Sequence, residues 1–294
     1  MYKQFKSYLK RYHSLVTLYE TVHKVKYDTI NNMRDIRDSY LLKGRKAEET
    51  PYGFKLQGSS SIHHRSMQKG TFEVEETALI RQYLSRSDVF IDVGANIGFY
   101  TCLARSLGKQ VIAVEPLRIN QKYLYANLID NKWHDVEVFP VGLSDHPGIA
   151  MLYGPSSTGA SLIGNWAGAS KGFKRVISLS TLDILLGHRL NGKRIFIKID
   201  VEGVEYQVLM GAIRTMKLIP QPIWLIEICL SEFHPNGINP NYAATFEMFW
   251  ENGYEVRTAD EHNRLIQPSD IQRWVKAGHC DSGVINYIFI PKSD

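Results

Sequence analysis

The pattern of apolar and polar positions changes character near residue 50. Residues 1 to about 45 contain no Pro, and no Gly before Gly44, and apolar side chains recur irregularly every three to four positions (Phe5, Leu9, Leu15, Leu18, Val22, Val25), which predicts one or two helices. After the Gly- and Ser-rich YGFKLQGSSS, short β-branched runs end in polar or glycine residues and lead into helical stretches. VFIDVG precedes Ile97 to Leu107, QVIAVEP precedes Leu117 to Ile129, and DVEVFPVGLSD follows; RIFIKIDVEG precedes Val204 to Met216, and PIWLIEICL comes next. Such βα repetition builds a mostly parallel sheet flanked by helices. Ligands of such sheets bind beyond the carboxyl ends of the strands. GYEVRTAD and GVINYIFIPK read as an antiparallel strand pair at the sheet edge, with PSDIQRWVKAG as a short helix between them. The expected architecture is α/β, with an N-terminal helical extension over residues 1–50 and one domain over residues 51–294.

Charge refines this division. Residues 1–50 hold 11 Lys/Arg against 6 Asp/Glu, whereas residues 51–294 hold 24 of each. The basic excess belongs to the extension, where it interleaves with Tyr8, Tyr12, Tyr19 and Tyr27. Packing on the main domain or on a second subunit is the first expectation for this segment, so a homo-oligomer is left open; peripheral contact with an anionic membrane surface is the second. The excess is too small to argue for nucleic acid. Cys102, Cys229 and Cys280 show no CxxC spacing, so a reducing compartment is expected. No apolar run reaches signal-peptide or transmembrane length, and the chain reads as a cytoplasmic protein with no transmembrane segment.

In VFIDVGANIG, Val89 to Val93 supplies a buried strand, Gly94 permits a sharp turn where the backbone approaches a ligand, and Gly98 lets the next helix start near the sheet. A nicotinamide dinucleotide wants GxGxxG directly after the strand. Here Ala95 and Asn96 occupy the turn, Asn96 stands where the second glycine belongs, and Asp92 lies just ahead. A carboxylate beside a helix N-terminus repels a pyrophosphate. S-adenosylmethionine has an ammonium, a carboxylate and a sulfonium but no phosphate, and it tolerates or uses Asp92. VIAVEP ends at Glu115 and Pro116; Glu115 lies 21 residues after Gly94 and can accept both hydrogen bonds of a ribose diol. That acid marks an adenosine-type ligand of either kind, and the glycine pattern favours S-adenosylmethionine. The plain alternative is an ordinary βα turn with a solvated acid. The third strand is expected to end at Val141, with Gly142 to Asp145 looping over the adenine, and with Ser144 or Asp145 pairing with its amine; a simple turn reads equally well there.

FIKIDVEGVE gathers Lys198, Asp200, Glu202 and Glu205 around an apolar strand and turn. A lysine in a strand buried on both faces is costly unless paired with nearby carboxylates, and charge concentrated at a strand's carboxyl end points to a site. WLIEICLSEFHP adds Glu227 within the next strand and His234 beyond it.

These residues carry a resemblance. The chain resembles the FkbM family of S-adenosylmethionine-dependent methyltransferases, within the class I, Rossmann-like fold. The matching stretches are KGTFEVEE, VFIDVGANIGFYTCLA, VIAVEP, STLDIL, IFIKIDVEGVEYQVLMGA and WLIEI, over roughly residues 50 to 255. GxxxG alone is weak, whereas DVGANxG together with IKIDVEGxE is specific. The resemblance implies a seven-stranded sheet, a single catalytic domain and methyl transfer to oxygen, with acceptors among sugar hydroxyls of glycans and hydroxyls of polyketide-like products. It also implies that Asp92, Gly94 and Glu115 meet the cofactor, that Asp200 and Glu202 stand at the active-site rim, and that Glu73 lies over the cofactor's amino-acid end.

Methyl transfer from a sulfonium is an in-line displacement, and an alcohol acceptor must also lose a proton. A general base or a metal ion is therefore expected. His234 is the preferred base, with Asp200 or Glu227 orienting acceptor or imidazole. A magnesium ion held by Asp200, Glu202 and Glu227 is the rival arrangement. Lys198 either belongs to the site or pairs structurally with Glu227. Residues 153–175 are read as a loop closing over the acceptor, with Trp166 stacking on a sugar face or anchoring the loop to the body. His63 and His64 are expected in a solvated loop. The competing functions are a noncatalytic scaffold of the same fold and N-methylation of a protein or small molecule.

Overall fold

The computed structural model describes residues 47–294 apart from 60, 155–158, 169–171, 173 and 293–294. The helices expected over residues 1 to 45 lie outside the described residues. The compact unit begins at Ala47. It opens with β1 (Glu48–Glu49) paired antiparallel to β2 (Lys55–Leu56), followed by α1 (Ile62–Lys69) and α2 (Val74–Ser85). Residues 47–50 thus join the main unit. Next come β3 (Val89–Val93), α3 (Phe99–Ser106), β4 (Gln110–Val114), α4 (Arg118–Asp130), β5 (Glu137–Phe139), β6 (Gly142–Leu143), β7 (Gly148–Tyr153) and β8 (Lys174–Ser180). The chain continues through α5 (Leu182–Leu186), β9 (Ile195–Ile199), α6 (Glu205–Met210), α7 (Ile213–Met216), β10 (Ile223–Glu227) and α8 (Tyr242–Glu251). It closes with β11 (Tyr254–Thr258), β12 (Leu265–Ile266), α9 (Pro268–Ala277) and β13 (Asn286–Pro291).

The main sheet has the order β12-β11-β13-β10-β9-β3-β4-β5. From β5 to β10 every pairing is parallel, whereas β13 runs antiparallel to both neighbours. Seven strands follow the expected class I methyltransferase pattern, and the two-residue β12 adds an eighth at the edge. β11 and β13 do pair antiparallel, but β13 lies inside the sheet. Its centre, Tyr287 to Phe289, is buried at consecutive positions, whereas β11 alternates buried and part-exposed residues as a strand nearer the edge should.

β3 and β9 are buried at all five positions each, so both faces of the sheet are covered. One face packs Ile91, Ile197 and Trp224 among Leu182, Val208 and Phe246. On the other, Phe196 lies 5.6 Å, ring to ring, from both Phe90 and Tyr83 of α2. Asp92 and Lys198 are register partners on this second face.

The third strand ends at Phe139, two residues earlier than expected, because Pro140 has no N–H to continue the ladder. Gly142 to Leu143 then leaves the main sheet and pairs parallel with β8 in a separate sheet of order β6-β8-β7. His63 and His64 lie on α1, not in a loop; His64 is fully buried, with Nδ1 accepting from the Ser59 N–H at 2.7 Å. The Lys55–Gln57 strap is bound to α4 through two asparagines. Asn131 Oδ1 accepts from the Lys55 N–H at 2.8 Å, and Asn127 Oδ1 accepts from the Gln57 N–H at 2.5 Å. Asn127 Nδ2 also donates to the Ile97 carbonyl at 2.8 Å, in the turn after β3.

Candidate active site

Strand order reverses between β3 and β9, and a cavity of about 440 Å³ opens at their carboxyl ends. That volume suits a small-molecule cofactor with its partner. Gly94, at φ +84°, makes the first wall: a Cβ there would stand 1.9 Å from the Asp200 carbonyl oxygen, so only glycine lets the two strand ends meet. The Asp200 N–H in turn donates to Val93 O at 3.0 Å. Gly98 performs a different task from ligand contact. It is absent from the cavity lining, and its Cβ would fall 2.3 Å from Leu124 Cδ1, so it seats α3 against α4.

Ala95, Asn96, Glu115, Pro116 and Gly142 line the same end. Glu115 is buried, and its oxygens accept from the Leu117 and Asn96 N–H groups, each at 2.8 Å. Burial pushes its carboxyl up to about 7, against those two bonds. Asn96 sits at φ +51°, and its Oδ1 is buried with no hydrogen-bond partner among the described residues. Ser144 departs from expectation. As part of the β6 segment it bonds to Ser180 O through its N–H and to Asp145 through Oγ, and it does not reach the cavity. Asp92 is buried and accepts from Thr101 Oγ1 at 2.6 Å, with burial raising its pKa.

The far end of the cavity is acidic. Lys198 Nζ lies 2.9 Å from Asp200 Oδ2, 3.7 Å from Glu76 Oε1 and 5.1 Å above the Tyr100 ring. Burial works against the ammonium, but Asp200, Glu76 and Glu73 outweigh it and hold the lysine well above its ordinary pKa. Lys198 therefore pairs with Asp200 and Glu76; no ion pair with Glu227 is formed. Glu227 ends β10 at the cavity wall, where burial and the Asp200 charge keep its carboxyl far above the usual range. Glu73 turns its carboxyl inward and accepts from Tyr100 OH at 2.7 Å.

Glu76 escaped the sequence reading. It is 5% exposed, accepts from Asn286 Nδ2 at 2.7 Å, and is pushed up to about 8 by burial. Its signal was present: Glu76, Ile80 and Tyr83 recur on one helical face, which places an acid in the apolar stripe of α2.

Glu202 is not a metal ligand here. Its carboxylate is taken by the Gly159 N–H at 3.1 Å and Trp166 Nε1 at 2.6 Å, and its carbonyl accepts from Ser161 Oγ at 2.5 Å. Asp200 is committed to Lys198, and among the described residues no three His, Cys, Asp or Glu side chains are arranged to hold an ion. The trio Asp200, Glu202 and Glu227 does not fit magnesium. His234 is also displaced from its expected role. It is absent from the cavity lining, stands edge-on to Trp166 at 6.0 Å, and accepts weakly from the Asn236 N–H at 3.4 Å, which is the local turn bond of HPNG. Trp166 is 1% exposed, so it anchors the 159–168 segment and offers no face to a sugar.

Eight non-glycine residues among those described have positive φ, and five of them, Glu73, Asn96, Ala167, Glu202 and Phe233, line this cavity. Strain of that kind concentrates at functional sites. The wall chemistry fits S-adenosylmethionine: carboxyls suit a ligand with two cationic groups, and the orphaned Asn96 Oδ1 and buried Glu115 offer acceptors at the glycine turn.

Residues 92–256 match the methyltransferase FkbM domain. Solved structures to which the chain is similar include the precorrin-6y C5,15-methyltransferase of Geobacter metallireducens, at 14% identity over 72% of this chain and 87% of that one, TM-score 0.38. Another is an O-methyltransferase from Bacillus cereus in complex with SAH, at 11% identity over 74% and 80%, TM-score 0.37. Likenesses this distant say nothing of the acceptor. No curated protein matches the chain. With more than half its length in the family match, the chain belongs to the FkbM methyltransferases and is an S-adenosylmethionine-dependent enzyme of that family.

Proposed function

We propose that the enzyme methylates a hydroxyl oxygen of a sugar, a glycan or a small natural product. The observation that carries this reading is Asp200, a carboxylate at the strand-order reversal that lines the cavity beside Glu227 while salt-bridged to Lys198 at 2.9 Å. Bound S-adenosylmethionine supplies the electrophilic methyl. Gly94, Asn96 and Glu115 hold and orient it, with Glu115 taking the ribose hydroxyls and Glu73 and Asp92 facing its cationic end. Asp200 accepts the hydroxyl proton of the acceptor: it lines the cavity whereas His234 does not, and the carboxylate of Glu202 is already bound to Gly159 and Trp166. Lys198 keeps its charge throughout and holds the Asp200 carboxylate in position. Glu227, protonated at neutral pH, donates a hydrogen bond to a neighbouring hydroxyl.

Calorimetric titration with S-adenosylmethionine, S-adenosylhomocysteine and NAD tests the cofactor half. Binding of the two sulfur compounds and not NAD, weakened by Glu115→Ala, is expected. Turnover of sugar and natural-product hydroxyls with [methyl-13C]S-adenosylmethionine tests the acceptor half, because the carbon shift of the product separates O-methyl from N-methyl. Transfer to amines alone would overturn the reading. No described helix is long and apolar enough to cross a membrane. We further propose a reducing, cytoplasmic location, on the three cysteines Cys102, Cys229 and Cys280, none of them in a disulfide.

A further inference from the structure

Phe233 is an anomaly in this fold. It follows β10 in the loop that closes the acid end of the cavity, it has φ +65°, and it is 51% exposed. A bulky aromatic in the left-handed region is a true outlier, a conformation that the surrounding structure must hold in place. It is held there from behind. The Ala167 N–H donates to the Phe233 carbonyl at 2.8 Å, the Trp166 ring lies 6.2 Å away, and Glu232 accepts from the N–H groups of Leu230 and Ser231 at 3.1 Å each. The result is an aromatic residue that lines the cavity yet stays half exposed, an arrangement that core packing does not require.

We propose that Phe233 is the acceptor platform, and that the acceptor is an uncharged pyranose whose apolar C–H face lies on this ring while its hydroxyls reach Glu227 and Asp200. The inference rests on the O-methyltransferase reading above. The axial C–H groups of a pyranose are weakly positive and match the negative face of an aromatic ring. The opposite edge of such a sugar needs donors and acceptors, which the two carboxyls supply. The charge of the cavity narrows the class further. Glu73, Asp92, Glu115, Asp200, Glu202 and Glu227 line it, against Lys198 as the one Lys or Arg among the described residues there. Lys198 is already committed to Asp200 and Glu76. A phosphorylated sugar, a uronic acid or a nucleotide-linked sugar would bring its anion to a wall with no uncommitted Lys or Arg among the described residues to receive it.

Saturation-transfer NMR on the full chain, saturated with S-adenosylhomocysteine, tests the assignment. The probes are the methyl pyranosides of glucose, galactose, mannose, rhamnose and fucose, set against glucose 6-phosphate, glucuronate and UDP-glucose. At least one neutral pyranoside is expected to bind, with transfer strongest to ring C–H protons, and the anionic probes are expected to bind at least tenfold more weakly. Phe233→Ala should weaken the neutral sugar roughly tenfold, the upper end of what an aromatic contact contributes. Phe233→Trp should retain binding, and the affinity for S-adenosylhomocysteine, which also reports folding, should hold in both variants. Binding of no neutral pyranoside, anionic probes binding as well, or Phe233→Ala binding like the parent would each overturn the proposal. Failure of the folded parent to bind S-adenosylhomocysteine would instead overturn the methyltransferase site beneath it.

Discussion

Lys198→Met removes one ammonium from among the buried acids and keeps most of the apolar stem. The lysine side chain is 5% exposed, and its partners Asp200 and Glu76 are 30% and 6% exposed, so water cannot replace the lost charge on the Glu76 side. Breaking a buried pair in this way costs about 3–5 kcal/mol where an uncompensated charge stays behind, a condition that Glu76 meets only once pH exceeds its raised value. The loss must depend on pH. Glu76 is pushed up to about 8 even beside the ammonium, so folding takes up a proton there between its ordinary value of 4.5 and about 8. A group with a raised folded pKa gives its stability below the unfolded pKa and loses it as pH rises through the folded one. Without Lys198 the folded value climbs further, and the deficit of the variant grows with pH. Urea unfolding followed by tryptophan fluorescence should give the full deficit near pH 9.5, above the folded value of Glu76, and one smaller by ~1 kcal/mol or more near pH 7, where that carboxyl is mostly protonated in both folded proteins. The double variant Glu76→Gln/Lys198→Met should recover about 1–3 kcal/mol of coupling. A deficit under ~1 kcal/mol, or one equal at both pH values, would refute the account of a lysine stabilised by its acids.

Three further outcomes follow from geometry already described. Gly94→Ala should cost more than ~2 kcal/mol and abolish S-adenosylmethionine binding, since its Cβ meets Asp200 O at 1.9 Å; Gly108→Ala, at φ +75° with nothing within 4 Å, should cost only the backbone term of about 1–2 kcal/mol. Paired urea curves with calorimetry separate the two. Glu202→Ala frees Gly159 and Trp166, so limited proteolysis should cut sooner within 159–168 and tryptophan emission should shift to the red, while cofactor affinity holds within about threefold. Unchanged proteolysis would refute the tether. Glu115→Gln should weaken S-adenosylmethionine by roughly tenfold or more, because the Leu117 or Asn96 N–H then faces an amide in place of an acceptor oxygen; calorimetry reads this directly.

The strands and the glycine turn were legible because their signals are local. Five consecutive buried residues in VFIDV and IFIKI, and acids at their carboxyl ends, are visible in short windows. What escaped depends on chain returns that no window contains. Asn286 reaches Glu76 across 210 residues. Ser144 was placed over the cofactor because GLSD reads as a turn, yet β8, starting some thirty residues later, claims Gly142 and Leu143 for a second sheet. Glu202 and His234 look like chemistry in isolation, and only the folded 159–168 segment shows that Trp166 separates them from that role. Phe233 left no sequence signal at all, since its exposure and its φ are both set by Ala167 and Trp166 from another loop.

Asn127 ties the beginning of the compact unit to the ligand site. One end of its amide grips Gln57 and the other grips Ile97, so lifting the strap off α4 loosens the turn after β3. Linkage requires the converse with equal free energy: filling the cavity against that turn tightens the strap. The strap's hold on α4 and the seat of the ligand are therefore one equilibrium, and a bound cofactor works as a brake on release of the strap.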